Sequence, residues 1–172
     1  MPSILFVCSA NRFRSVIAAE WFRFLLVKNQ LQCEWTVGSA GTWAKGGLPP
    51  IPQALRFAKE RELEIAHIRS QEVNGSLLTK ADIIVVMTEG QREALRIDFP
   101  QVKERIFLLS EICEGETYDI PDPVEKLAET PEELGDEICS LITSGFEGIC
   151  NQANQISHQL GRRNENKTIY KK

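Results

Sequence analysis

No apolar run in this 172-residue chain approaches the ~20 residues that a membrane span needs, so insertion into a bilayer is not expected. No basic stretch precedes the short apolar run near the N-terminus, which argues against a secretory signal. Positive charge is also scarce. A formal net charge of −4 and a pI of about 5.3 leave no basic stripe for general nucleic-acid binding. The five cysteines (Cys8, Cys33, Cys113, Cys139, Cys150) are odd in number and include no CxxC pair. They form no zinc-like cluster with the two histidines, His67 and His158. Neither a metal nor another cofactor is expected, and unpaired thiols point to a cytoplasmic protein. Internal repeats and a second-domain boundary are absent too.

The composition that is present, 42% hydrophobic and 26% charged, suits one globular domain with an ordinary core. That domain is expected over residues 1–161, with a polar, mobile tail (RRNENKTIYKK) over 162–172. Strand-length apolar runs lie at Ile4–Val7, Trp35–Val37, Ile83–Met87 and Ile106–Leu109. Helical patterns separate or follow them at Ser15–Lys28, Pro52–Leu63, Glu89–Ile97 and Glu132–Gly161, the last weakened by Gly145 and Gly148. Strand alternating with helix predicts a doubly wound α/β domain whose parallel strands are covered on both faces.

The chemistry concentrates in SILFVCSANRFRSVIAAEWF, Ser3 to Phe22. A buried strand stops at Cys8, and an amphipathic helix starts near Arg14. Ligands of open parallel sheets bind beyond the carboxyl ends of the strands, which is where Cys8 falls. A short loop turning into a helix there offers converging backbone N–H groups, an anion nest. Arg14 can grip two oxygens of a phosphate with its planar fork. The same positive field favours the thiolate of Cys8, so one loop brings a nucleophile to its anionic electrophile. A free cysteine is more often a small buried hydrophobe. The Cys–x5–Arg–Ser spacing at a strand-to-helix junction argues for the chemical role, and a second catalytic part would decide it.

That part is a carboxylic acid able to protonate a leaving oxygen. YDIPDPVEK, Tyr118 to Lys126, supplies Asp119 and Asp122 just beyond the fourth strand. Asp-Pro alone is an ordinary turn dipeptide. Following a strand of the same sheet, however, its loop can reach the edge that holds Cys8, with Pro121 and Pro123 stiffening it.

With CSANRFRS (Cys8–Ser15), VGSAGTW (Val37–Trp43), Ala66–His67, ADIIVVM (Ala81–Met87) and IPDP (Ile120–Pro123) in order, the chain from Ile4 to about Gly161 resembles the low-molecular-weight protein tyrosine phosphatases. The resemblance implies a four-stranded parallel sheet flanked by helices and a metal-free phosphatase acting on phosphotyrosine in proteins or peptides. By position Cys8 matches the nucleophile, Arg14 the phosphate clamp and Asp122 the general acid. Ser9, Ala10, Asn11, Arg12, Phe13 and Ser15 match the loop around a phosphate or other oxyanion. Asn11, Ser15 and Ser39 match polar residues that brace it, and His67 matches the histidine of that network. Trp43 lies where the family has an aromatic rim; a packed surface aromatic is the other reading.

The departures bear on substrate choice. Ala10 stands for the family's glycine, Phe13 for a second cysteine and Val16 for a proline. If position 10 needs a positive φ, the loop is strained there. Arg12 occupies a pocket wall that is commonly apolar. Val124 and Glu125 follow Asp-Pro where tyrosines often stand, and Ser70 stands where an arginine often follows the histidine. A phosphoarginine phosphatase is therefore a second candidate. A thiol-dependent arsenate reductase would need resolving cysteines in MTEGQREAL, Met87 to Leu95, which has none. A sugar-transport phosphocarrier would not require Arg14 or Asp122. A non-catalytic phosphate-binding module is the remaining alternative.

Overall fold

The computed structural model describes residues 1–123 and 130–169, with side chains through Gly161. Four strands, β1 (Ser3–Cys8), β2 (Thr36–Gly41), β3 (Ile83–Val86) and β4 (Ile106–Leu108), form one parallel sheet in the order β2-β1-β3-β4. Side chains alternate across it. Ile4, Phe6, Cys8, Ile83 and Val85 face α1 (Arg14–Lys28), α2 (Pro52–Glu60) and α6 (Pro131–Ile169). Leu5, Val7, Ile84, Val86 and Ile106 face α3 (Gly75–Lys80) and α4 (Glu89–Asp98). Because helices cover both faces, these strands read as unbroken apolar runs. The sheet thus has the expected doubly wound architecture. Among the described residues no helix is long and apolar enough to cross a membrane.

Two local expectations shift. The second strand was expected at Trp35–Val37, but Thr36–Gly41 pairs residue for residue with Ser3–Cys8. Trp35 instead packs its ring edge-on against Phe22, 5.3 Å between centroids. Small residues in VGSAG have little strand propensity of their own and pair only because the neighbouring strand and α1 are close. The second helix was expected to reach Leu63. It stops at Glu60, because Glu62 turns left-handed (φ 57°) and Leu63 folds back to donate to the carbonyl of Ala58. A short helix α5 (Leu109–Glu114) follows β4, and Gly145 lets α6 approach it: a Cβ there would lie 2.6 Å from the Cα of Cys113. Helix α6 passes without a break through the boundary expected at Gly161. Val124, Glu125 and the side chains of 162–172 lie outside the described residues.

Candidate active site

Cys8 ends β1, and the chain turns through Ser9–Phe13 before α1 begins at Arg14. Among the described residues the backbone amides of Ser9 to Phe13 take no hydrogen-bond acceptor. The loop is held from outside through its carbonyls: Thr42 donates to Cys8 O (2.9 Å), Trp43 to Ser9 O (3.0 Å) and Ile51 to Arg12 O (3.1 Å). Leaving amides unpaired while carbonyls are used is the arrangement of an anion-binding nest. Positive φ falls on Asn11 (54°), a residue type that tolerates the left-handed region, and not on Ala10. The feared strain at Ala10 is absent, and its methyl is exposed.

Asn11 is the buried brace. Its amide nitrogen donates to Ser15 Oγ and Ser39 Oγ, both at 2.9 Å, and its oxygen accepts from the backbone N–H of Gln71 at 3.0 Å. Ser15 Oγ lies 3.0 Å from Cys8 Sγ. With Asn11 donating to its oxygen, the Ser15 hydroxyl is free to direct its proton to the sulfur. His67 corrects the resemblance: it sits on an exposed turn and makes no hydrogen bond in this network. The chain re-enters three residues later at buried Ser70, so Gln71 supplies the brace, its side chain also donating to Ser39 O (2.9 Å). Phe13 is buried with its ring tilted against Phe57, an apolar anchor for the loop where the family has a thiol.

The loop that carries Asp119 and Asp122 reaches the same edge through Ile120, which is fully buried. Its N–H donates to Met87 O at 2.8 Å, beyond β3, and its carbonyl accepts Nη1 of Arg14 at 2.9 Å. Nη2 of Arg14 donates to Asp122 Oδ2 at 2.5 Å and to Ser9 Oγ at 3.2 Å. Arg14 is 2% exposed. Asp119 does a different job: its Oδ1 accepts the N–H of Glu89 at 2.8 Å, on the first turn of α4. A cavity of about 130 Å³ is lined by Cys8, Ala10, Arg12, Phe13, Arg14, Ile51, Asp122 and Pro123. A larger one, about 420 Å³, shares Arg14 and Asp122 and extends over Ser9, Trp43, Gln91 and Asp119. Trp43 stands 87% exposed at its rim, which excludes the packed-surface reading. Arg12 is half-buried, its Nε donating to Pro49 O at 2.8 Å.

Besides Gln71, two residues escaped the sequence reading. Gly41 lets β2 pass under the loop, since a Cβ there would come 2.3 Å from Ser9 O and 2.9 Å from Asn11 N. Gln91 donates to Ser9 Oγ at 3.1 Å from the start of α4. Neither had a signal of its own, although Gly41 lies within the VGSAGTW stretch that carries the resemblance.

Comparison with known proteins agrees with this geometry. A protein-arginine-phosphatase of Geobacillus stearothermophilus is 32% identical over 81% of this chain and 90% of its own length. A probable low molecular weight protein-tyrosine-phosphatase, EpsP, of Ralstonia solanacearum is 33% identical over 73% and 81%. Among solved structures, the YwlE arginine phosphatase from Geobacillus stearothermophilus superposes with a TM-score of 0.76 at 30% identity, covering 92% of this chain and 97% of that one. The model of the family described as low molecular weight phosphotyrosine protein phosphatase matches residues 3–161, nearly all of the chain just described, and the protein belongs to that family.

Proposed function

We propose that the protein hydrolyses phosphotyrosine in proteins or peptides through a phosphorylated Cys8, with no metal or cofactor. The observation that carries this is the convergence of Cys8, Arg14 and Asp122 on one cavity. The thiolate of Cys8 attacks phosphorus, forming the S–P bond as the P–O bond to the phenol breaks. Asp122 gives its proton to the leaving oxygen. Water then attacks phosphorus, Asp122 takes its proton, and the S–P bond breaks to release phosphate and the thiolate. Arg14 binds the equatorial oxygens throughout, and the amides of Ser9 to Ser15 line the phosphate. Trp43 serves the substrate rim. All five cysteines are free, which suits a reducing, cytoplasmic setting for a thiol nucleophile.

The likeness to arginine phosphatases favours a second reading, phosphoarginine. Arg12 counts against it. Anchored by Nε to Pro49 O, its guanidinium stays at the wall of the small cavity. There it can stack on a phenyl ring, worth roughly 0.5–2 kcal/mol, and repels a second guanidinium. Arsenate reduction would need resolving cysteines in Met87–Leu95, which has none. Burial pushes Cys113 and Cys139 up to about 12 and Cys150 up to about 11, and Cys113 packs on Gly145. The test compares kcat/KM for matched phosphotyrosine, phosphoserine and phosphoarginine peptides without metal, in wild type and Arg12→Ile. Phosphotyrosine should win in wild type, with its margin over phosphoarginine shrinking in Arg12→Ile. A wild-type preference for phosphoarginine overturns the substrate assignment, and an unchanged ratio overturns the role of Arg12.

A further inference from the structure

Gln91 is 8% exposed on the first turn of α4 and has every polar atom of its side chain engaged. Its Oε1 accepts the backbone N–H groups of Met87 (3.0 Å) and Thr88 (3.2 Å). Two backbone donors can be met only by the amide oxygen, so the NH₂ group must face the other way. It faces Ser9 Oγ, 3.1 Å away. The same Ser9 oxygen accepts Nη2 of Arg14 at 3.2 Å, and that nitrogen also donates to Asp122. A hydroxyl oxygen has two lone pairs, and Gln91 and Arg14 occupy both.

We propose that Gln91 is a positioning residue for the phosphate clamp, holding the Nη2 edge of Arg14 in place through Ser9. This rests on the reading of the site given under Proposed function. Arg14 is fixed on one edge by the buried carbonyl of Ile120. Its other edge meets Asp122 Oδ2 and Ser9 Oγ, and apart from Arg14 itself the Ser9 hydroxyl is tethered by Gln91. Gln91 supplies that tether from the first turn of α4, 82 residues along the chain. A bidentate grip depends on the plane of the guanidinium, so a loosened edge weakens hold on the transition state more than attraction for the charge.

Gln91 also belongs to the capping box of α4, so a helix-stabilising role must be separated from the positioning one. A mutant cycle with Ser9→Ala does this, because a role in stabilising the helix does not run through Ser9. Gln91→Leu removes cap and tether together. The readouts are Tm, the Kd for inorganic phosphate by calorimetry, and kcat and KM on a phosphotyrosine peptide. Gln91→Leu should lower kcat ~10-fold or more, less than the ~10²–10³ of deleting a direct donor. KM should change less than the phosphate Kd, which should rise at least about 3-fold as the clamp loosens. In a Ser9→Ala background Gln91→Leu should lower kcat by no more than about twofold further, the mark of a shared path. Wild-type kcat and phosphate Kd in Gln91→Leu, or an undiminished loss in the Ser9→Ala background, overturns the proposal. If Gln91→Leu does not fold, Gln91→Ser, whose hydroxyl is too short to reach Ser9, takes its place in the same cycle. A wild type that binds phosphate but turns over no phosphoester overturns the proposed function instead, and the phosphate Kd series still tests Gln91.

Discussion

Replacing Arg14 with lysine keeps a charge and removes a shape. Arg14 spans Ile120 O at 2.9 Å through one nitrogen, and Asp122 Oδ2 at 2.5 Å and Ser9 Oγ at 3.2 Å through another. An ammonium is a single nitrogen and cannot serve both edges while presenting parallel N–H groups to a phosphate. The carbonyl of fully buried Ile120 then loses its donor, costing about 1–3 kcal/mol of stability. For a chain of this size that lowers Tm by roughly 2–12 °C. In the transition state, loss of one preorganised donor costs about 2.7–4 kcal/mol. At ~1.36 kcal/mol per decade this is a ~10²–10³-fold fall in kcat. Affinity for inorganic phosphate should fall less, because the point charge remains. The assay is kcat and KM on a phosphotyrosine peptide, with phosphate calorimetry and thermal melts on the same preparation. A kcat within tenfold of wild type would show that charge alone suffices and would refute the bidentate argument.

Three further outcomes follow from the same geometry. Cys8→Ser should lose essentially all turnover yet still bind inorganic phosphate; near-wild-type hydrolysis would remove the phosphocysteine step. Asp122→Asn should slow substrates with poor leaving groups more than aryl phosphates with good ones, whereas equal losses across the series would mean that Asp122 is not the acid. Asp119→Asn should show no such leaving-group dependence, since Asp119 serves the start of α4. Gly41→Ala places a Cβ 2.3 Å from Ser9 O, so it should cost about 1–3 kcal/mol of stability and depress kcat by displacing the loop. Gly38→Ala, whose Cβ meets only the movable end of Leu5 at 3.2 Å, is the control and should leave kcat unchanged.

Local pattern was enough for much of this protein. Strands buried on both faces must be apolar at every position, so β1, β3 and β4 stood out as runs, and the alternation with helices implied the doubly wound sheet. The thiol and guanidinium of the Cys8–Arg14 loop were legible because their spacing is short and a strand-to-helix junction dictates its geometry. What packing decided lies farther apart in the chain. The small residues of β2 pair by proximity to β1 and carry no propensity signal. Left-handed φ went to Asn11 instead of Ala10, because the loop is shaped by carbonyls held from Thr42, Trp43 and Ile51. His67, placed by resemblance, turned outward, and Gln71 took the brace four residues on. The contacts of Arg14 with Ile120 and Asp122 join residues 106 and 108 positions apart, and that of Ser9 with Gln91 spans 82. Periodicity carries information over a turn or a strand. Which polar atoms meet at the sheet edge depends on strand order and loop entry angle, and those are set only when the two faces of the sheet are packed.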